Sequence, residues 1–303
     1  MLPRDPRQGS FFDFSGRTKL RLTGADRVRF INGQITNDVR KAAETSALAA
    51  CVLNAKGKLN AHIFLSVEPD SILVDADPAL RESLAARLER YIIADDVQVE
   101  DITEKFAIFH VIGPDPNLSA AKRVSVNRFG LTGVDLWIEP QEADRVRAEF
   151  ATNVSFCDDN CAEQFRIEQG IPRWGKELTE DTNPVEANLE QSCIDYEKGC
   201  YIGQEVISRM KISGQRNKGL YGLIGEENRS VTAGTKLWPT HDQPKEVGWI
   251  TSAIWSDRLG QQISLGYVRR PFNQIGAELR AVAEGGQTVP VRVFGLPFNF
   301  AGR

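Results

Sequence analysis

No stretch of this 303-residue chain approaches the roughly 20 consecutive apolar positions that a membrane-spanning helix needs. The opening "MLPRDPRQGSFFDF" lacks a hydrophobic segment long enough for a secretory signal, and its two Asp residues do not suit a transit peptide. A cytoplasmic location in a bacterium is therefore expected, or the mitochondrial matrix if the source is eukaryotic. Positive charge is not in excess either. The 37 Lys and Arg residues face 41 Asp and Glu, a formal charge of -4, so no bulk field draws in nucleic acid or anionic lipid.

Cysteine and histidine are sparse. Cys51, Cys157, Cys161, Cys193 and Cys200 are odd in number and irregularly spaced, unlike the disulfide framework of a small secreted domain, so reduced thiols are expected. The sequons at Asn117, Asn153 and Asn228 then carry no meaning, because glycosylation needs a secretory route. His62, His110 and His241 are scattered and do not indicate a hydrolytic metal centre. The phosphate-cradling G-x-x-x-x-G-K-[ST], a G-x-G-x-x-G after a strand and the G-x-S-x-G nucleophile elbow are all absent.

What is present is ordinary globular material, with 41% apolar and 26% charged residues. The length exceeds most single cores, which points to two domains or one large one with an appended module. Strands are expected over Thr18 to Leu22, Ala47 to Leu53 and Asn60 to Val67, with a short helix near Ala25 to Ile31 that stops at Gly33. An amphipathic helix follows Asp77, capped by that residue, with Pro78 at its first position and Leu80, Leu84, Leu88, Tyr91 and Ile92 facing the core. A more polar helix is expected around Pro140 to Phe150. A third runs from Asp159 or Asn160 to Gln169 and stops at Gly170. Beyond residue 213 helical periodicity vanishes. Six strand-like pieces, "NKGLYGLIG", "GTKLWPT", "EVGWITSAIW", "QQISLGYVRR", "AELRAV" and "VPVRVFG", argue for an antiparallel barrel or sandwich, with the boundary near Ser213 to Asn217.

The chemistry-bearing stretch is "KGCYIGQEVISRMK", residues 198 to 211. Gly199 and Gly203 flank the thiol, and a helix begins at about Gln204, so Cys200 is delivered by a tight loop at a helix start. The helix dipole and the cations Lys198, Arg209 and Lys211 favour a thiolate, reactive or metal-seeking. The plainer alternative is a small apolar residue packed beneath a Gly-rich loop. Arg209, Lys211, Arg216 and Lys218 form an acid-free basic run from Val206 to Lys218, which suits an anionic ligand such as a polyglutamate tail or a phosphate backbone, or equally a solvated turn between two domains. Cys157 and Cys161 have helical spacing, which allows two thiolates on one face or one buried and one surface cysteine. Glu168, near a helix end, gains nothing from the dipole there and needs Arg166, Arg173 or a ligand donor.

"KGCYIGQE" and its basic continuation resemble the signature of the YgfZ group of folate-binding proteins. "LTGADRVRFINGQITNDV", "LNAKGKL", "FRIEQGIPRWGKELTEDTNPVEANLE" and "EVGWITSAIW…SLGYVRR" resemble, in order, blocks of the wider glycine-cleavage T-protein superfamily. The resemblance spans nearly the whole chain. It implies an α+β fold, a folate-binding body around a central hollow (residues 1–214, in two lobes) followed by a C-terminal antiparallel β-barrel (215–303). It also implies that Glu168 grips the pteridine ring of tetrahydrofolate through a bidentate contact, with Tyr201 as an aromatic wall nearby; Arg209, from the basic run, is expected to meet the ligand's anionic part. Lys198, Gly199, Cys200, Tyr201, Gly203, Gln204 and Glu205 are the motif positions.

One departure bears on activity. The aminomethyltransferases carry a carboxylate pair just after the block matched by "NAKGK", where this chain has Leu59, Asn60, Ala61 and His62. Without that charge glycine-cleavage activity is not expected. The expected role is a tetrahydrofolate-binding accessory protein for assembly, maturation or repair of iron–sulfur proteins, with Cys200 as its thiol. Iron–sulfur assembly factors and client iron–sulfur enzymes are the expected partners. The alternative is a folate-dependent one-carbon transferase or demethylase. RNA binding through the basic run is disfavoured, because interleaved aromatics are missing.

Overall fold

A computed structural model describes residues 5–113, 121–150, 154–214, 216–226, 229–240, 245–283 and 286–298. Asn117, Asn153, Asn228 and His241 lie outside the described residues. The elements, in chain order, are β1 (Ser10–Asp13), β2 (Thr18–Thr23), α1 (Arg27–Gln34), β3 (Leu48–Leu53), β4 (Leu59–Val67), β5 (Ile72–Ala76), α2 (Arg81–Glu89), β6 (Gln98–Asp101), β7 (Ala107–Ile112), β8 (Lys122–Asn127), β9 (Thr132–Ile138), α3 (Ala143–Phe150), β10 (Ser155–Cys157), α4 (Asp159–Gln169), α5 (Glu190–Cys193), α6 (Gln204–Ser213), β11 (Lys218–Gly225), β12 (Lys236–Pro239), β13 (Gly248–Ser256), β14 (Gln261–Arg269), β15 (Glu278–Val282) and β16 (Thr288–Phe294).

They gather into two compact units, Arg4–Asp158 with Leu189–Arg209, and Asp159–Asn188 with Met210–Arg303. The sequence boundary at 214/215 put residues 159–188 with the N-terminal region. In the structure they belong with the barrel, because buried carboxylates from this stretch are satisfied by barrel side chains. Glu177 Oε1 accepts from Thr251 and Ser252 at 2.7 and 2.6 Å, and the Tyr267 hydroxyl donates to the Glu177 carbonyl at 3.0 Å.

In the first unit, two five-stranded sheets of order β3-β4-β5-β2-β6 and β10-β1-β7-β9-β8 face one another. Leu73, Ile102, Ile108, Val124 and Trp137 fill the space between them. A buried ion network crosses the same layer. Arg128 Nε lies 3.0 Å from both oxygens of Asp135, its Nη1 and Nη2 lie 3.2 and 2.7 Å from those of Asp75, and His110 Nδ1 donates to Asp135 at 2.8 Å. Burial alone pushes Asp135 up, but the Arg128 charge and the His110 hydrogen bond outweigh it and hold the carboxyl at about 2. His110 is therefore a structural residue, and a Cβ on its neighbour Gly133 would come within 2.5 Å of its ring.

In the second unit, the six segments foreseen as strands close into a barrel of order β11-β14-β13-β12-β15-β16. Leu223, Leu237, Ile250, Val268 and Val293 form its interior.

Local expectations hold with three corrections. First, α1 does not stop at Gly33 but runs to Gln34. Its terminal carbonyls are capped from a distance, by Lys198 Nζ on Asn32 and Ile35 and by the Ile202 N–H on Gly33, so no left-handed glycine is required. Second, Asp77 and Pro78 open a 3-10 turn that leads into α2. Leu80, Leu84 and Leu88 are buried there, whereas Tyr91 and Ile92 lie beyond the end of α2, Ile92 half-buried and Tyr91 exposed, with the Arg87 guanidinium 4.0 Å from its ring centre. Third, not every cysteine is a thiol. Cys157 and Cys161 are disulfide-bonded, while Cys51, Cys193 and Cys200 are free.

Candidate functional site

The motif loop is held at several points and leaves one side chain outside. Lys198 is buried, and its ammonium donates to the carbonyls of Asn32, Ile35 and Asn37 at 2.6, 2.7 and 2.8 Å. Tyr201 is buried, with its ring 5.2 Å from that ammonium. The Ile202 N–H reaches the Gly33 carbonyl at 3.2 Å. Gly203 adopts a φ of 86°, and a Cβ there would lie 2.7 Å from the Asn54 carbonyl oxygen, so only glycine lets the loop close onto the "NAKGK" turn. Gly57 of that turn faces Val206 in the same way, with 2.9 Å for a hypothetical Cβ. Cys200 is exposed at the crest of this fixed loop.

Two of the three cations expected to activate the thiol, Lys198 and Arg209, are engaged elsewhere. The Lys198 ammonium is spent on three carbonyls, and Arg209 pairs with Glu205 at 2.8 Å on the exposed face of α6. α6 itself begins only at Gln204, whose N–H bonds the Tyr201 carbonyl. What the motif supplies is therefore fixed position, through Lys198, Tyr201 and Gly203. Gly199 sits in open space.

Glu168 is buried near the end of α4 with both oxygens occupied. Ser256 donates to Oε1 at 2.5 Å, Gln164 reaches the same oxygen at 3.3 Å, and Arg258 Nε donates to Oε2 at 2.7 Å. Glu177 is equally satisfied, by Thr251, Ser252, Arg166 and the Arg173 N–H. The third carboxylate of the stretch, Glu186, differs. It is buried, and its Oε2 has no hydrogen-bond partner; Lys218 Nζ stands off at 3.7 Å. That ammonium lies 4.9 Å from the Trp249 ring and 5.1 Å from the Tyr267 ring, which are themselves 5.3 Å apart. A carboxylate oxygen without a hydrogen bond, a cation and two aromatic rings make the complement of a flat heterocycle with N–H donors. Sequence reasoning passed over Glu186, because "NPVEANLE" is a loop without periodicity.

Asn60 and His62, which follow the "NAKGK" block, have structural partners. Asn60 Oδ1 accepts from Arg87 at 3.2 Å, and His62 Nε2 lies 3.5 Å from the Cys193 sulfur. Among the described residues no group of three or more His, Cys, Asp or Glu side chains could hold a metal ion, and no helix is long and apolar enough to cross a membrane.

Comparison with known proteins follows the same lines. Residues 7–128 match the GCVT N-terminal domain family, and residues 218–299 the glycine cleavage T-protein C-terminal barrel domain family. An aminomethyltransferase of Rubrobacter xylanophilus is 26% identical over 96% of this chain and 83% of its own length. A tRNA-modifying protein YgfZ of Escherichia fergusonii is 28% identical over 71% of this chain and 72% of its own. The crystal structure of the glycine cleavage system aminomethyltransferase T from Bartonella henselae superposes with a TM-score of 0.85 over 97% of this chain and 87% of that one. At 17% identity this last likeness speaks for the fold.

Proposed function

The chain belongs to the YgfZ-type branch of the glycine-cleavage T-protein superfamily, and from that premise we propose that it binds tetrahydrofolate and serves the assembly, maturation or repair of iron–sulfur proteins through the Cys200 thiol. The observation that carries the thiol role is the construction of its loop. Four contacts fix the backbone on either side of Cys200, yet the side chain itself is exposed. A residue needed only for packing would be turned inward. A preorganised thiol at the surface suits a partner that must be met in one orientation, such as an assembly factor or a client enzyme.

The residues around Glu186 fit a reduced folate. Its oxygen, which makes no hydrogen bond, can accept from the aminopyrimidine edge, the Trp249 ring lies beside it, and Lys218 adds a cation. A bound reduced folate supplies one-carbon chemistry and reducing capacity. Glu168 has a supporting part, since it holds Arg258 and Ser256 in place.

The test is anaerobic calorimetry with tetrahydrofolate on the wild type and on Glu186→Gln, Glu168→Gln and Cys200→Ser. The wild type and Cys200→Ser should bind alike, and Glu186→Gln should bind about tenfold to a hundredfold more weakly, the range for losing a hydrogen bond to a charged acceptor. Loss with Glu168→Gln alone, in a folded variant, would move the pteridine to Glu168. No binding by the wild type sinks the folate reading. In cells, Cys200→Ser should lower iron–sulfur enzyme activity, and unchanged activity sinks the thiol role.

A second reading, direct action in tRNA modification, is favoured by the name of the Escherichia fergusonii relative. The basic run offers it little. Arg209 pairs with Glu205, Arg216 donates to the Val185 carbonyl and to Asn188 Oδ1, and Lys218 stands by Glu186. Salt-sensitive tRNA binding at micromolar protein would support this reading instead.

A further inference from the structure

A second thiol site lies apart from Cys200, in the same unit. Cys51 on β3 faces His62 across the ladder to β4, and Cys193 ends α5. The two cysteines are fully buried and interact with one another. The Cys193 sulfur also lies 3.5 Å from His62 Nε2 and 3.3 Å from Ser192 Oγ. The backbone around the pair is tied: Thr36 Oγ1 donates to the Cys193 carbonyl at 2.5 Å and accepts from the Cys51 N–H at 2.9 Å. Ser192 is exposed and His62 half-buried, so the pair lies one side chain beneath the surface.

We propose that Cys193 and Cys51 are a redox-active dithiol that a hydroperoxide converts to a disulfide, with Cys193 as the attacking sulfur, His62 as its proton partner and Cys51 as the resolving thiol. In the first step the Cys193 thiolate attacks one peroxide oxygen. An S–O bond forms, the O–O bond breaks, and the departing hydroxide takes a proton from the His62 imidazolium and leaves as water. In the second, the Cys51 sulfur attacks the sulfenic sulfur. The S–S bond forms, the S–O bond breaks, and the hydroxide takes the Cys51 proton. The sum is two thiols and hydrogen peroxide going to one disulfide and two waters.

The electrostatics divide the two roles. The hydrogen bond from Cys51 holds Cys193 well below the usual thiol range against its own burial, with further help from the His62 charge and from Ser192. Cys51 is pushed well above that range, by burial first and then by Cys193. One sulfur is thus a nucleophile and the other keeps its proton until the second step.

The experiment is stoichiometric oxidation of the reduced full-length protein by hydrogen peroxide, followed by alkylation and peptide mass mapping, with peptides carrying Cys157, Cys161 and Cys200 tracked separately. The expected product is a linked peptide joining Cys51 to Cys193, lost on treatment with dithiothreitol. In Cys51→Ala, Cys193 should instead be trapped by dimedone as the sulfenic acid. In His62→Gln, oxidation of Cys193 should slow by about a hundredfold, the low end of what a positioned proton donor contributes. Recovery of Cys51 and Cys193 as free thiols while Cys200 is oxidised overturns the proposal, as does a linked peptide joining Cys193 to Cys200. The wild-type mapping decides the matter even if a variant does not fold.

Discussion

Lys198→Met tests whether the signature lysine is an anchor or an electrostatic activator. The methionine keeps the apolar stem and deletes the three donors, which stand at 2.6 to 2.8 Å from the carbonyls of Asn32, Ile35 and Asn37. Each bond from a charged donor contributes about 1.5–3 kcal/mol, hence roughly 5–9 kcal/mol for the set. Against this stands the cost of keeping an ammonium out of water, several kcal/mol, which the substitution recovers. The expected net loss is about 3 kcal/mol, because carbonyls at the end of α1 are left without partners in a buried setting. Urea unfolding followed by circular dichroism measures it, at unchanged slope if the native state stays compact.

The same substitution should loosen the loop before the unit unfolds. The Ile202 amide, bonded to the Gly33 carbonyl next to the Lys198 acceptors, should lose hydrogen-exchange protection by more than amides in β4 and β5. A cost under about 1 kcal/mol with unchanged Ile202 protection would refute the anchor, and would return Lys198 to the role of a charge acting on Cys200.

Three further outcomes follow from the geometry. Arg128→Met should destabilise the first unit by about 3–5 kcal/mol, because Asp75 and Asp135 stay buried without their shared cation; a loss under 1 kcal/mol in the same urea assay counts against the network. Asp135 sits at about 2 in the fold against an ordinary 3.8, so the unfolded chain takes up its proton first. Its contribution is complete above about pH 4 and is lost as pH falls through about 2, and an Asp135→Asn variant should show a flatter stability profile over that window. Gly203→Ala should cost about 2 kcal/mol or more, from a left-handed backbone and a Cβ driven against the Asn54 carbonyl, and should lower the yield of a fixed Cys200 in thiol-labelling kinetics; wild-type stability would mean that the "NAKGK" turn yields freely.

The barrel was legible because its strands are short, turn-bounded and half alternating, and all six named segments became strands of one closed sheet. The strands Ala107–Ile112 and Ile72–Ala76 escaped for the opposite reason. Every residue in them is buried, so neither shows the period-two pattern that marks a half-exposed strand. Gly33 misled because a glycine after an apolar helix usually ends it, whereas here the end is capped by a lysine more than 160 positions away. No local rule contains that partner.

The site divides along the same line. That a loop delivers Cys200 to the start of a helix could be read from Gly199, Gly203 and Gln204, since turn and helix-start chemistry is local. What each charged residue does could not. Lys198 and Arg209 lie near Cys200 in sequence, yet one is spent on backbone carbonyls and the other on Glu205. Glu168, Glu177 and Glu186 are three carboxylates in one stretch, and only the three-dimensional neighbours distinguish them: Ser256 and Arg258 fill the first, Thr251, Ser252 and Arg166 the second, and the third keeps an unpartnered oxygen beside Lys218. Hydrogen-bond saturation is decided by residues tens of positions apart, and a buried carboxylate that could bind a ligand is recognised by what does not touch it. That is why the order of ligand affinities across Glu168→Gln and Glu186→Gln is the informative comparison. If the unsatisfied oxygen marks the ligand, the variant that removes it loses affinity and keeps the fold, whereas Glu168→Gln weakens its bonds to Ser256 and Arg258 and loses stability first.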